Sequence, residues 1–141
     1  MRKKLSKRSE YYLNYHRRYE LEHFCKQYPI WKEAYNSITS IPIRHSEYLP
    51  NKGVSDPTAT AVEASIMFLT KMTLVDDAAS RTDTILAPYI IENVTTGHSY
   101  EQINAKENIP CSKNSFYRTV RRFYWILDSL HSKIYTSYYR L

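Results

Sequence analysis

Between Phe116 and Ile134, six apolar residues (Phe116, Val120, Phe123, Leu127, Leu130 and Ile134) recur at steps of four, three, four, three and four. At the pitch of an α-helix that spacing gathers all six into one stripe, which the two-residue alternation of a strand cannot do. Asn114, Arg118, Arg121 and Arg122 fall on the opposite side of the same helix. One side is therefore built to be buried and the other is cationic. Solvation is the ordinary fate of a cationic helix back, so the rest of the chain must decide whether this one has a partner.

The remaining sequence favours more helices. Glycine occurs only 2 times in 141 residues while tyrosine occurs 14 times, and apolar residues recur at helical spacing far more than in alternation, so an all-α fold is expected. The length suits one compact unit with a core that needs neither disulfide nor metal. Cys25 and Cys111 stand far apart and the five histidines show no ligand spacing, so no metal or other cofactor is expected and a reduced, cytoplasmic setting is the default. The N-terminal MRKKLSKRSEYYLNYHRRYE is basic but lacks the apolar stretch of a secretory signal, and no later run approaches membrane-spanning length. No glycine-rich phosphate loop, metal-ligand cluster or nucleophile motif is present, which argues against an enzyme.

Along the chain, a helix is expected from about Ser9 to Tyr28, with Tyr11, Tyr15 and Tyr19 in a ladder and Leu21, Phe24 and Tyr28 on a rotated face. Core packing is the first expectation for that ladder, ahead of dimerisation and base stacking. A bend near Tyr28 leads into PIWKEAYNSI, with Pro29 as its first residue and Ile30, Trp31, Ala34, Tyr35 and Ile38 as its apolar positions. Pro42, Pro50 and Gly53 mark a loop near 39–55. Asp56 followed by Pro57 then starts a central helix to about Ser80, with Ala61, Ala64, Phe68, Met72, Val75 and Ala79 inward. A further helix is expected over Thr84–Thr96, with Pro88 in its first turn and Gly97 just past its end. Ser99 and Gln102 form a capping box for a short helix from Tyr100 to about Ala105, and Ser112 can cap the long final helix. The expected organisation is a basic flexible arm (1–10), a helical body (11–98) and a C-terminal unit (99–135).

Charge is uneven. Residues 1–19 carry seven Lys/Arg against Glu10, residues 113–141 carry six against Asp128, and the stretch between is net acidic. Basic ends around an acidic middle favour a polyanion held by the ends, and nucleic acid is the commonest one.

A short helix, a brief turn and a basic amphipathic helix follow helix-turn-helix order. In SYEQINAKENIPCSKNSFYRTVRRFYWIL, Ile103 is the expected buried residue of the first helix, Asn108 the turn residue with positive φ, and Ile109 the plug between helices. This segment resembles the fourth-region helix-turn-helix of sigma factors, although about two extra residues separate Ile109 from Phe116. Together with YELEHFCKQYPIWKEAYNSI, DPTATA and FYRTVRRFYWILD, it resembles the ArpU/RinA-like transcriptional regulators carried by phages of Gram-positive bacteria. The resemblance spans most of residues 19–128. It implies a DNA-binding transcription regulator of a phage or other mobile element, with double-stranded DNA as partner. In that role Lys113, Asn114, Ser115, Arg118, Thr119 and Arg122 would face the major groove, with Arg121 beside them, while Tyr100 and Gln102 brace the backbone.

Arg118 or Arg122 could make a bidentate bond to guanine and Asn114 one to adenine, and a phosphate contact or plain solvation is the alternative for each arginine. Trp125 lies on the cationic side and should be covered by another helix or by a second subunit, so self-association is kept open. The acidic middle, with Glu63, Asp76 and Asp77, would repel phosphates and suits a protein such as RNA polymerase. The alternative function is a recombination directionality factor, or another accessory protein acting on a recombinase (an integrase) or a sigma factor.

Overall fold

The computed structural model describes residues 10–40 and 57–139. Residues 1–9 of the basic arm, most of the expected 39–55 loop and the Asp56 cap lie outside the described residues. Six helices follow in order: α1 (Tyr15–Lys26), α2 (Tyr28–Thr39), α3 (Pro57–Thr82), α4 (Ala87–Thr96), α5 (Tyr100–Glu107) and α6 (Lys113–Tyr139). No strand occurs among the described residues, so the all-α expectation holds.

Three element boundaries differ from expectation, each for a local reason. The first helix starts at Tyr15 rather than near Ser9, because Asn14 caps it by accepting the His16 N–H through Oδ1 at 2.9 Å. It stops at Lys26, since Pro29 has no N–H to continue the ladder and sits in the first turn of α2. Helix α4 starts at Ala87 instead of Thr84. The Asp83 carboxylate accepts the N–H groups of Ile85 and Leu86, both at 2.9 Å, and holds residues 84–86 in a turn. Where signals are strongest the expected ends hold: Gly97 closes α4 at φ 83°.

The core gathers one stripe from each of several helices. Phe116, Val120, Phe123 and Leu127 of α6 are buried with Leu74, Val75, Ala78 and Ala79 of α3, Ile90 and Val94 of α4, Leu21 and Cys25 of α1, and Trp31 of α2. Burial of Phe116, Phe123 and Leu127 confirms the stripe that the spacing defines, at about 1.5–3 kcal/mol per side chain removed from water. Leu130 and Ile134 are only partly buried, so the end of α6 moves out of the core. The N-terminal half of α3 keeps Val62, Ile66, Met67 and Leu69 exposed.

Helix α1 is fastened to α6 by charge. Arg17 donates to Asp128 Oδ1 at 2.6 Å and to Ser132 Oγ at 3.4 Å, and it meets His131 Nδ1 at 3.2 Å. Arg18 bonds Glu22 at 2.9 Å and lies 4.0 Å above the Tyr124 ring. Two of the seven cations counted in residues 1–19 are thus committed to the fold. Burial and the nearby Arg17 guanidinium both hold the His131 pKa below its ordinary value, against smaller opposing effects of Asp128 and Glu20.

The tyrosine ladder is a correction. Tyr15 and Tyr19 are 61% and 49% exposed, with Tyr19 stacked on Tyr15 at 6.4 Å and against His23 at 4.4 Å. They face away from Leu21 and Phe24, so core packing does not account for them. The acidic middle is also less available than its charge suggests. Asp76 accepts the Tyr28 hydroxyl at 2.9 Å and Asp77 pairs with Arg81 at 3.2 Å, while Glu63 is exposed. Burial raises the Asp76 carboxyl above its usual range, and burial with the Asp76 contact pushes Tyr28 up to about 12.

Candidate nucleic-acid interface

The cationic face stands on α6, and residues 99–117 fix how that helix is presented. Ser99 accepts the Gln102 N–H at 3.2 Å while Gln102 Oε1 accepts the Ser99 N–H at 2.8 Å, so both halves of the capping box are made. Helix α5 ends on Asn108 at φ 49°, a conformation that asparagine tolerates better than other side chains. The Ile109 N–H then donates to Asn104 Oδ1 at 2.8 Å, and Ile103 and Ile109 are both buried. Ser112 caps α6, accepting the Ser115 N–H on Oγ at 3.2 Å.

Two tyrosines lock the corner. The Tyr100 hydroxyl donates to the Cys111 carbonyl at 2.6 Å, and the Tyr117 hydroxyl accepts the Tyr100 N–H at 3.0 Å. The Tyr100 hydroxyl is therefore committed to holding the turn, whereas the exposed Gln102 gives its Oε1 to the cap and its amide nitrogen takes no part in it. Neither bond could be read from sequence, because no local rule pairs residues 11 or 17 apart.

The expected contact residues divide into two groups. Asn114, Arg118 and Arg122 are exposed and Arg121 is half-buried. The three arginines make no hydrogen bond or ion pair among the described residues, so about one turn of helix carries three uncompensated charges. The others are engaged. Lys113 pairs with Glu101, which holds the ammonium above its ordinary pKa and the carboxyl below its own, chiefly through their shared hydrogen bond. Both groups are exposed, so the pair is open to exchange with another anion. Ser115 receives the Ser112 hydroxyl at 3.0 Å, and Thr119 donates to the Ser115 carbonyl at 2.8 Å.

Trp125 continues this outer stripe, one turn past Arg121 and Arg122. It is 43% exposed and meets Tyr11, from the segment before α1, with ring centroids 5.7 Å apart in an edge contact. The site that results is a helix face of one amide, three guanidiniums and an indole. Such a face can bind anions and offer planar donor pairs to hydrogen-bond acceptors. Among the described residues no cluster of His, Cys, Asp or Glu could hold a metal ion, and no helix is long and apolar enough to cross a membrane. No family model, curated protein or solved structure matches the chain.

Proposed function

We propose that the chain is a DNA-binding transcriptional regulator of a phage or mobile element, with α5, the turn at Asn108 and α6 acting as a sigma-like helix-turn-helix. The observation that carries this is the row Asn114, Arg118, Arg121 and Arg122, its arginines uncompensated among the described residues, on a helix whose first turn the Tyr117–Tyr100 bond ties to α5. On α3, by contrast, the exposed Arg81 is paired with Asp77 one turn away.

In this reading the first half of α6 lies in the major groove and α5 crosses the flanking backbone. Arg118 or Arg122 offers two parallel donors to guanine O6 and N7, and Asn114 offers the matching donor and acceptor to adenine. Arg121 sits at the edge of the face, where a phosphate contact suits it, and Lys113 exchanges Glu101 for a second phosphate. Ser115 and Thr119 hold the first turns of α6 and contribute contacts through their hydroxyls. RNA polymerase is the protein partner this reading calls for, and Glu63, exposed on α3, is the part of the acidic middle open to it.

Selection from a random pool of duplexes tests the reading: the protein enriches a defined site, and a promoter carrying that site responds to the protein in transcription with purified polymerase. Failure to enrich any sequence at low salt would remove it. Enrichment without an effect on transcription, combined with a changed direction of an integrase reaction, would transfer the assignment to a recombination factor using the same face.

A further inference from the structure

Helix α3 is apolar on two sides. Phe68, Met72, Val75 and Ala79 turn one side to the core. About 130° round the same helix, Ala59, Val62, Ile66, Leu69 and Thr73 recur at steps of three, four, three and four. All five are exposed, Val62 at 50%, Ile66 at 57% and Leu69 at 45%. A surface helix ordinarily carries charged residues on the side away from the core, yet residues 58–70 hold one charge, Glu63, and no lysine or arginine. The three–four spacing is that of the seam along which one helix packs on another, so this surface calls for a helix as its partner.

We propose that the seam joins two copies of the chain, with α3 of one copy antiparallel to α3 of the other about a two-fold axis at Ile66. The seam is complementary to itself. That axis sets Val62 against Leu69 of the other copy, Ile66 against its counterpart, and the small Ala59 against Thr73. Charge favours the same occupant: the chain has a net charge of +6, and residues 58–70 are a stretch where two copies can meet without bringing lysines and arginines together. Glu63 selects the antiparallel sense. In a parallel pair it would stand level with Glu63 of the other copy, whereas here the two lie about 9 Å apart along the axes and stay at the rim. Area sets the strength. The exposed parts of the five seam residues amount to roughly 300–400 Å² per copy, and with the polar rim the pair would bury about 1,000–1,200 Å² in all, the lower end for a specific interface. Such a dimer should form and separate in the micromolar range. It does not depend on what α6 binds.

Sedimentation equilibrium of the full chain without DNA, from low to high micromolar concentration, tests the proposal. The wild type should pass from monomer to dimer, and Ile66→Lys should stay monomeric with the melting temperature of dilute wild type. Engineered disulfides read the register, with the wild type, which carries Cys25 and Cys111, as control. Ile66→Cys should oxidise to a linked dimer, and Val62→Cys should link to Leu69→Cys in a mixture but not to itself. A wild type that stays monomeric throughout would overturn the proposal: lowered melting of Ile66→Lys would then mean that the seam is covered within its own chain, and unchanged melting that it takes a different protein. A dimer that Ile66→Lys leaves intact would overturn the seam as the contact, and linking of Val62→Cys to itself would overturn the antiparallel pairing.

Discussion

Removing the Tyr100 hydroxyl separates the strength of the α5–α6 corner from its surface chemistry. Tyr100→Phe deletes the 2.6 Å bond to the Cys111 carbonyl and leaves the ring in the half-buried position where it meets Phe116 at 5.6 Å. A net hydrogen bond of this kind contributes about 0.5–1.5 kcal/mol, and a stranded buried carbonyl would cost about 1–3 kcal/mol. Cys111 is only partly buried, so water can reach the freed carbonyl and the lower range applies. The expected loss is about 1 kcal/mol, or about 3–4 °C in Tm for a domain of this size. Tyr117→Phe removes the bond to the Tyr100 N–H and should cost a similar amount. Because both bonds close one corner, the double variant should lose less than the sum of the two singles. Thermal unfolding followed by circular dichroism measures all three. Unchanged melting in both single variants would refute the claim that these bonds stabilise the α5–α6 corner.

Three further outcomes follow from burial and charge. Phe123→Ala empties a fully buried ring site and should cost about 3–5 kcal/mol, whereas Arg122→Ala on the exposed face should stay within about 0.5 kcal/mol by chemical denaturation. Asn108→Ala forces a side chain that disfavours φ 49° into the turn and should cost about 1–2 kcal/mol, measured the same way. The folded pKa of His131 lies below its unfolded value of 6.5, so the unfolded chain binds the extra proton first; stability is full above about pH 6.5 and falls as pH drops below it. His131→Gln should flatten that part of the stability–pH profile.

What the sequence made visible is what local chemistry decides. The Ser99–Gln102 box, the left-handed Asn108, the glycine after α4 and the Phe116 stripe all obey rules spanning a few residues, and each is found in place. Tertiary pairing was hidden. Arg17 and Arg18 add to a basic N-terminus on paper yet hold α1 on α6, Arg17 through Asp128 and Arg18 over the Tyr124 ring, and Lys113 is matched by Glu101 from another helix. Tyr15 and Tyr19 have helical spacing, but that spacing does not say which side of α1 meets the core; Leu21, Phe24 and Cys25 settle it. Of the candidate contact residues, the exposed Asn114, Arg118 and Arg122 and the half-buried Arg121 match the wheel. The internal hydrogen bonds of Ser115 and Thr119 needed coordinates.

The central claim is that the Arg118 side of α6 distinguishes DNA sequences. It is tested most directly by equilibrium binding of wild type and Arg118→Ala to the enriched duplex and to a scrambled duplex at one fixed salt concentration. The wild type should prefer the enriched site, and Arg118→Ala, with unchanged melting, should lose about 1–3 kcal/mol on it and much less on the scrambled one. Equal affinity of the wild type for both duplexes, or an equal loss on both from Arg118→Ala, would contradict it.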